Sequence, residues 1–204
     1  MAHIWVMRHG RTRWNEQSRI QGHLDSPLTK AAIAELYEMN LPNLAGGTIL
    51  CSDLGRATQT AELVARRSGG NIVVSSLLRE RGFGVLQGEV VDEKPHLHVQ
   101  WQSYHKRYQQ PNLNIVGSES GRVFSQRLNA SLELIARIQR GGQPLLLIVH
   151  GEWWLAFESL LNGRLFWQVR GDMAENSRLF LFPSDILMSE QSASTVGGFY
   201  KKRA

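Results

Sequence analysis

The sequence predicts an α/β protein: a three-layer α/β/α sandwich with a mostly parallel central sheet and a partly helical inserted lid region. Three observations carry this expectation. Short, β-rich apolar runs alternate with longer segments of helical periodicity. The most apolar run, Leu145-Leu146-Leu147-Ile148-Val149, has the unbroken character of a strand covered on both faces. Glycine pairs at Gly46-Gly47, Gly69-Gly70 and Gly141-Gly142 mark boundaries between segments. The length of 204 residues suits one domain, residues 1–204, with residues 88–117 as the inserted lid or substrate region.

The elements follow in order. Ala2 to Met7 reads as a buried strand running into Arg8-His9-Gly10. Pro27-Leu28-Thr29 reads as a turn and helix N-cap before a helix over Ala31 to Met39, with Ile33, Leu36 and Tyr37 as its apolar positions. Thr48 to Cys51 is a second strand. Ser52-Asp53 is expected to cap a helix from Leu54 to about Arg67, whose buried face carries Ala57, Ala61 and Val64. Asn71 to Ser75 is a third strand. The stretch from Gln87 to Gly117 is irregular and holds Pro95, Pro111, His96, His98, His105, Trp101, Tyr104 and Tyr108. Arg122 to Arg140 is a long helix with Val123, Leu128, Leu132, Ile135 and Ile138 toward one side. Leu145 to Val149 then runs into His150-Gly151, and a helix from Glu152 to about Leu161 follows. Arg178 to Phe182 and Ile186 to Met188 read as late strands for which an antiparallel direction is open.

Composition narrows the function. The chain is 42% hydrophobic and 20% charged, which excludes wholesale disorder. No apolar run approaches the ~20 residues of a membrane span, and the stretch Ile4 to Met7 is too short for a signal peptide. The one cysteine, Cys51, can form neither an internal disulfide nor a Cys-based zinc cluster, so a cytoplasmic setting is expected. Of the 23 basic residues five are Lys and the rest Arg, against 18 acidic ones. A guanidinium pairs bidentately with phosphate where an ammonium does not. A codon bias would give the same excess. The arginines are scattered apart from the tail Lys201-Lys202-Arg203, so nucleic acid is not an expected partner.

Three places carry chemistry. Two strands each end in His-Gly, at His9-Gly10 and His150-Gly151. In open α/β sheets ligands bind beyond the carboxyl ends of the strands, so both imidazoles are candidates for one site. Either one alone reads as a turn histidine satisfied by backbone. Arg56 falls in the first turn of a helix, where free N–H groups favour an anion and a cation is poorly matched. It reads as a surface charge or as one side of a phosphate site. Glu80 stands between Arg79 and Arg81, either in a surface ion-pair cluster or as a carboxyl that gives and takes a proton.

These pieces together resemble the histidine phosphatase superfamily, in its phosphoglycerate-mutase-like branch. The resemblance rests on Arg8-His9-Gly10 with Trp14-Asn15, Gln21-Gly22 through Asp25, Pro27-Leu28-Thr29, the run Ser52 to Ala61, Arg79-Glu80-Arg81 through Gly88, and Val149-His150-Gly151, in chain order. It implies phosphoryl transfer through a phosphohistidine. By carry-over His9 is the nucleophile, Arg8, Arg56 and His150 clamp the phosphoryl oxygens, and Glu80 is the proton donor. Asn15 is a further phosphate contact, and Gln21 and Gly22 line the substrate side. The implied partner is a small phosphorylated metabolite, with neither metal nor other cofactor and no membrane. A homodimer is among the oligomeric states the sequence permits.

Departures from the family pattern bear on the reaction. Arg11 and Arg13 stand where acidic or smaller residues are frequent, and Phe83 where mutases commonly carry tyrosine. Trp153 and Trp154 are bulky, one expected in the core and the other free to shape the pocket. A mutase needs a second basic phosphate site, and its insert is usually longer and more basic. Here residues 88–117 set Lys94, Lys106 and Arg107 against Glu89, Asp92 and Glu93. The expected function is therefore a metal-independent phosphomonoesterase, with phosphoglycerate mutase second and a non-catalytic phospho-ligand binding module third.

Overall fold

The computed structural model describes residues 4–182. Five strands form one sheet: β1 (Ile4–Arg8), β2 (Thr48–Cys51), β3 (Asn71–Val74), β4 (Leu145–Val149) and β5 (Leu179–Phe182). Their order across the sheet is β3-β2-β4-β1-β5. The first four run parallel, and β5 pairs antiparallel to β1. Ile186 to Met188 and the basic tail lie outside the described residues.

Helices cover both faces. α1 (Arg13–Glu16) is a single turn after β1, and α2 (Lys30–Glu38) is capped by the Thr29 side chain on the Ala32 amide. α3 (Gly55–Ser68), α4 (His98–His105), α5 (Gly121–Gln139) and α6 (Gly151–Leu161) complete the set. β4 shows why the sheet is apolar throughout. Leu145, Leu147 and Val149 pack toward α5 and α6, with Phe124, Leu128, Ile135 and Trp153. Leu146 and Ile148 face the other way, toward Leu36 of α2 and Ala57, Ala61 and Val64 of α3. Alternation along a strand buried on both sides yields the continuous apolar run.

Some expectations shift. The inward face of α2 is Ala32 and Leu36, while Tyr37 is exposed. On α5 the inward face runs through Phe124 and Leu128, leaving Val123 in solvent. Asp53 does not cap α3. Asp25 does so from another loop, accepting the Gly55 and Arg56 amides at 2.7 and 3.2 Å. Asp53 instead takes a bidentate pair from Arg79. β3 is an exposed edge strand, not a covered one. Trp153 and Trp154 are both core residues. Among the described residues no helix is long and apolar enough to cross a membrane.

Candidate active site

The strand ends converge at one edge of the sheet. Arg8 lies opposite Val149, so the residues that follow, His9 and His150, emerge side by side. The His9 amide donates to the Val149 carbonyl at 3.0 Å. The two rings lie 5.1 Å apart. Arg56 comes from the first turn of α3, just beyond β2. Glu80 comes from beyond β3, past a short 3-10 turn at Ser76–Leu78. Gly151 leaves room for this junction, because a Cβ there would meet the Met173 sulfur at 2.4 Å.

Buried His9 is held in one tautomer. Its Nδ1 lies 2.8 Å from the Gly10 carbonyl, which can only accept, so Nδ1 carries the proton and Nε2 keeps its lone pair. Arg56 Nε donates to that Nε2 at 3.2 Å. The His9 carbonyl accepts from the Asn176 amide at 2.8 Å. Burial first, then the charges of Arg56 and Arg8, hold His9 well below the usual imidazole range. His150 is depressed the same way, by burial, then Arg56. Both rings are therefore neutral near pH 7. Neither nitrogen of His150 has a hydrogen-bond partner among the described residues.

The cations are anchored but not exhausted. Arg56 is buried, and its Nη1 donates to the Leu24 carbonyl and to Asp25, its Nη2 to the Gly22 carbonyl. One Nη2 hydrogen is left over from the five-donor fork. Arg8 donates through Nη1 to the Ala174 carbonyl at 2.9 Å, and its buried Nε has no partner among the described residues. Burial lowers the pKa of both guanidiniums against the raising effect of Glu80.

Glu80 is buried at the start of α6. Its Oε1 accepts the Arg81 and Trp153 amides and its Oε2 accepts the Glu152 amide. Burial pushes its pKa up, and the neighbouring Glu152 adds to that. Asn15 Oδ1 accepts the Thr12 amide and hydroxyl, closing a capping box on α1. Gly22 adopts φ +53°, and a Cβ there would sit 2.1 Å from Gln87 Oε1. The buried Gln21 Oε1 has no partner among the described residues.

Arg8, His9, Asn15, Gln21, Gly22, Arg56 and Glu80 all line one cavity of about 200 Å³. His150 lies fully buried beside His9 and does not reach the cavity surface. The remaining wall is largely apolar, with Trp14, Ile20, Phe83, Val91, Tyr104 and Met173. Arg11 and Arg13 do not line it; Arg19 does, tied to Gln17 and the Gly88 carbonyl. Of the ring-bearing residues of 88–117, Tyr104 is in the wall, Trp101 packs in a small core with Phe83, and His105 pairs with Asp92. Among the described residues no group of three or more His, Cys, Asp or Glu could hold a metal ion. Sequence reasoning passed over Asp25 as an anchor for Arg56, Asn176 behind His9, and Glu152 in the wall. Each acts across a long stretch of chain and leaves no local spacing signal.

One neutral imidazole, two guanidiniums and a buried carboxyl line one cavity, with a second neutral imidazole buried beside the first. The family model of the histidine phosphatase superfamily (branch 1) matches residues 4–179. The chain belongs to that superfamily. It is 36% identical over 157 residues to the Escherichia coli protein named "Probable phosphoglycerate mutase GpmB", covering 74% of this chain and 70% of that one. Among solved structures, a mycobacterial glucosyl-3-phosphoglycerate phosphatase in complex with VO3 superposes with a TM-score of 0.69 at 26% identity, covering 89% of this chain and 92% of that one. The alpha-ribazole phosphatase from Shigella flexneri has a TM-score of 0.69 at 24% identity, over 88% of this chain and 89% of that one, and is similar in fold.

Proposed function

We propose that this protein is a metal-independent phosphomonoesterase that hydrolyses a small phosphorylated metabolite through a phosphohistidine at His9. One observation carries the reading. The His9 Nε2 lone pair is presented to the cavity in a ring fixed as the neutral tautomer, with unsatisfied donors of Arg8 and Arg56 beside it.

The chemistry follows from that arrangement. The substrate's phosphoryl oxygens take the spare N–H groups of Arg8 and Arg56 and the Asn15 amide, displacing Arg56 Nε from His9, while the buried His150 ring stays packed beside the His9 ring. The His9 Nε2 lone pair attacks phosphorus. The ester P–O bond breaks, its electron pair goes to the leaving oxygen, and Glu80 gives that oxygen a proton. Charge on the three equatorial oxygens is met by the two guanidiniums, which removes the need for a metal. Water then gives a proton to the Glu80 carboxylate as its oxygen attacks phosphorus. The P–N bond breaks back onto Nε2, releasing inorganic phosphate and restoring both groups. Residues 88–117 supply Val91 and Tyr104 to the substrate side, and the apolar wall suits an ester whose organic part is small and carries little charge.

Hydrolysis is favoured over the mutase reaction because two of the three Lys and Arg side chains of the insert are paired with carboxylates and the third, Lys106, is exposed and does not line the cavity. Lys94 pairs with Glu89 at 2.8 Å and Arg107 with Glu152 at 2.9 Å, so neither is free for a second phosphate. The likeness to a relative named as a phosphoglycerate mutase supports mutase activity as the second reading. The test is turnover of a phosphorylated-metabolite panel and an aryl phosphate, with and without chelator, in wild type and His9→Ala. Chelator-resistant release of phosphate that disappears in His9→Ala is expected. Label from substrate stays on the wild-type chain after alkaline quenching. Turnover indifferent to His9→Ala, or lost with chelator, overturns the reading. Bisphosphate-stimulated isomerisation faster than hydrolysis selects the mutase.

A further inference from the structure

Glu152 is a buried acid that the steps above leave unused. It sits in the first turn of α6 and lines the same cavity as Glu80. Its amide donates to Glu80 Oε2 at 3.2 Å, and the next amide, from Trp153, donates to Oε1 at 3.0 Å. Glu80 thus takes the free N–H groups at this helix start. The Glu152 carboxylate turns the other way and accepts Arg107 Nε at 2.9 Å and the Tyr108 hydroxyl at 2.6 Å. Arg107 in turn lies over the rings of Tyr104 and Tyr108, 4.0 and 4.4 Å from their centroids.

Two carboxyls in one water-poor pocket do not both ionise readily, and the better-partnered one keeps the charge. Glu152 has a guanidinium and a hydroxyl on its own oxygen. Glu80 has backbone amides. Other groups act on Glu80 from every side. Arg8 comes from β1 and Arg56 from α3, both favouring its ionised form, and Tyr104 comes from α4. Arg127 of α5 and His23 donate to its backbone carbonyl, and Arg81 lies next in sequence. Burial and Glu152 outweigh these cations, so the carboxyl titrates above its ordinary range.

We propose that Glu152 is a positioning residue: its carboxylate, anchored by Arg107 and Tyr108 at the same cavity, keeps the proton on Glu80, ready for the leaving oxygen. This rests on the proposed role of Glu80 as the acid. Two readouts test it. The first is the alkaline limb of kcat/KM on an alkyl ester such as glycerol phosphate, compared with p-nitrophenyl phosphate, whose leaving group needs little proton help. The second is the midpoint of the Glu80 carboxyl carbon by NMR, assigned with Glu80→Gln. Glu152→Gln is expected to move both limb and midpoint down by about one pH unit, with a larger loss on the alkyl than on the aryl ester. Glu152→Asp, which keeps the charge, stays with the wild type. Tyr108→Phe shifts in the same downward direction by less, and it decides the matter where the Glu152 variants do not fold. A Glu80 midpoint unmoved in folded Glu152→Gln, or in Tyr108→Phe when that is the folded variant, overturns the proposal. A higher KM with an unmoved midpoint assigns Glu152 a purely structural part. Absence of His9-dependent hydrolysis in the wild type sinks the phosphatase reading, and the NMR midpoint still reports on Glu152.

Discussion

Arg56→Lys keeps a positive charge in the site and removes the fork. The guanidinium spans four partners: His9 Nε2, the Leu24 and Gly22 carbonyls, and Asp25. One ammonium nitrogen cannot reach them all. Losing the Asp25 ion pair matters little, because that carboxylate is 40% exposed while the Arg56 side chain is 1% exposed, and such pairs are worth ~0–1 kcal/mol. The Gly22 carbonyl decides the outcome. It is buried, whereas water can meet the carbonyl of half-exposed Leu24, so leaving the Gly22 group unmet costs about 1–3 kcal/mol. For a chain of this size that lowers Tm by roughly 2–12 °C. Losing a positioned donor at the phosphoryl oxygens should reduce kcat by ~10²–10³. Thermal melts by circular dichroism and kcat/KM on one phosphate ester measure both. A Tm within about 1 °C of wild type with kcat/KM within about threefold would falsify the claim that fork geometry, beyond charge, builds the site.

Three further outcomes are expected. Glu80→Gln should slow alkyl phosphate hydrolysis by ~10²–10⁴ while sparing aryl esters more, since only the former need a proton on the leaving oxygen; equal losses on both point to a binding defect. Gly22→Ala should destabilise by about 1–3 kcal/mol, read as a lower urea midpoint, because φ is +53° and its Cβ would strike Gln87 Oε1, which is pinned by the His23 and Phe83 amides. Stability should fall as pH drops below about 6.5, with a slope of up to ~1.4 kcal/mol per pH unit for each buried histidine. The sign follows from His9 and His150 staying neutral in the native state while the unfolded chain takes up protons. His150→Ala should flatten that slope in urea titrations, and an equally steep slope in the variant refutes the assignment.

The sheet was legible because its strands carry their own signals. Leu145 to Val149 is short, unbroken and apolar, entered from Pro144 and left at Gly151, which favours a buried strand over a helix segment, and each His-Gly end followed from where such strands stop. The placement of Arg56 and Glu80 beside one imidazole came through resemblance, since no spacing rule joins residues from the ends of β2 and β3. The cap on α3 was misread because Ser52-Asp53 is a good local signal, yet Asp25 arrives from a distant loop and wins by accepting two amides and the Arg56 side chain. The Arg107–Glu152 pair was invisible for the same reason. Charge counting in residues 88–117 weighed Arg107 against neighbours in sequence, while its partner stands in α6. Val123 was misplaced by a single position, a phase error that 3.6-residue periodicity permits at the end of a long helix.

The position of β4 between β2 and β1 has a consequence for how the molecule comes into being. β1 has no neighbour on that side until residues 145–149 have been synthesised, so a growing polypeptide leaving the ribosome holds β2–β3 and an orphan first strand. Parallel pairing across so large a span closes slowly. Insertion of this one central strand is thus the event that joins β1 to β2 and brings His150 to His9, and nascent chains cut before residue 150 should lack the complete pocket whatever else they have folded.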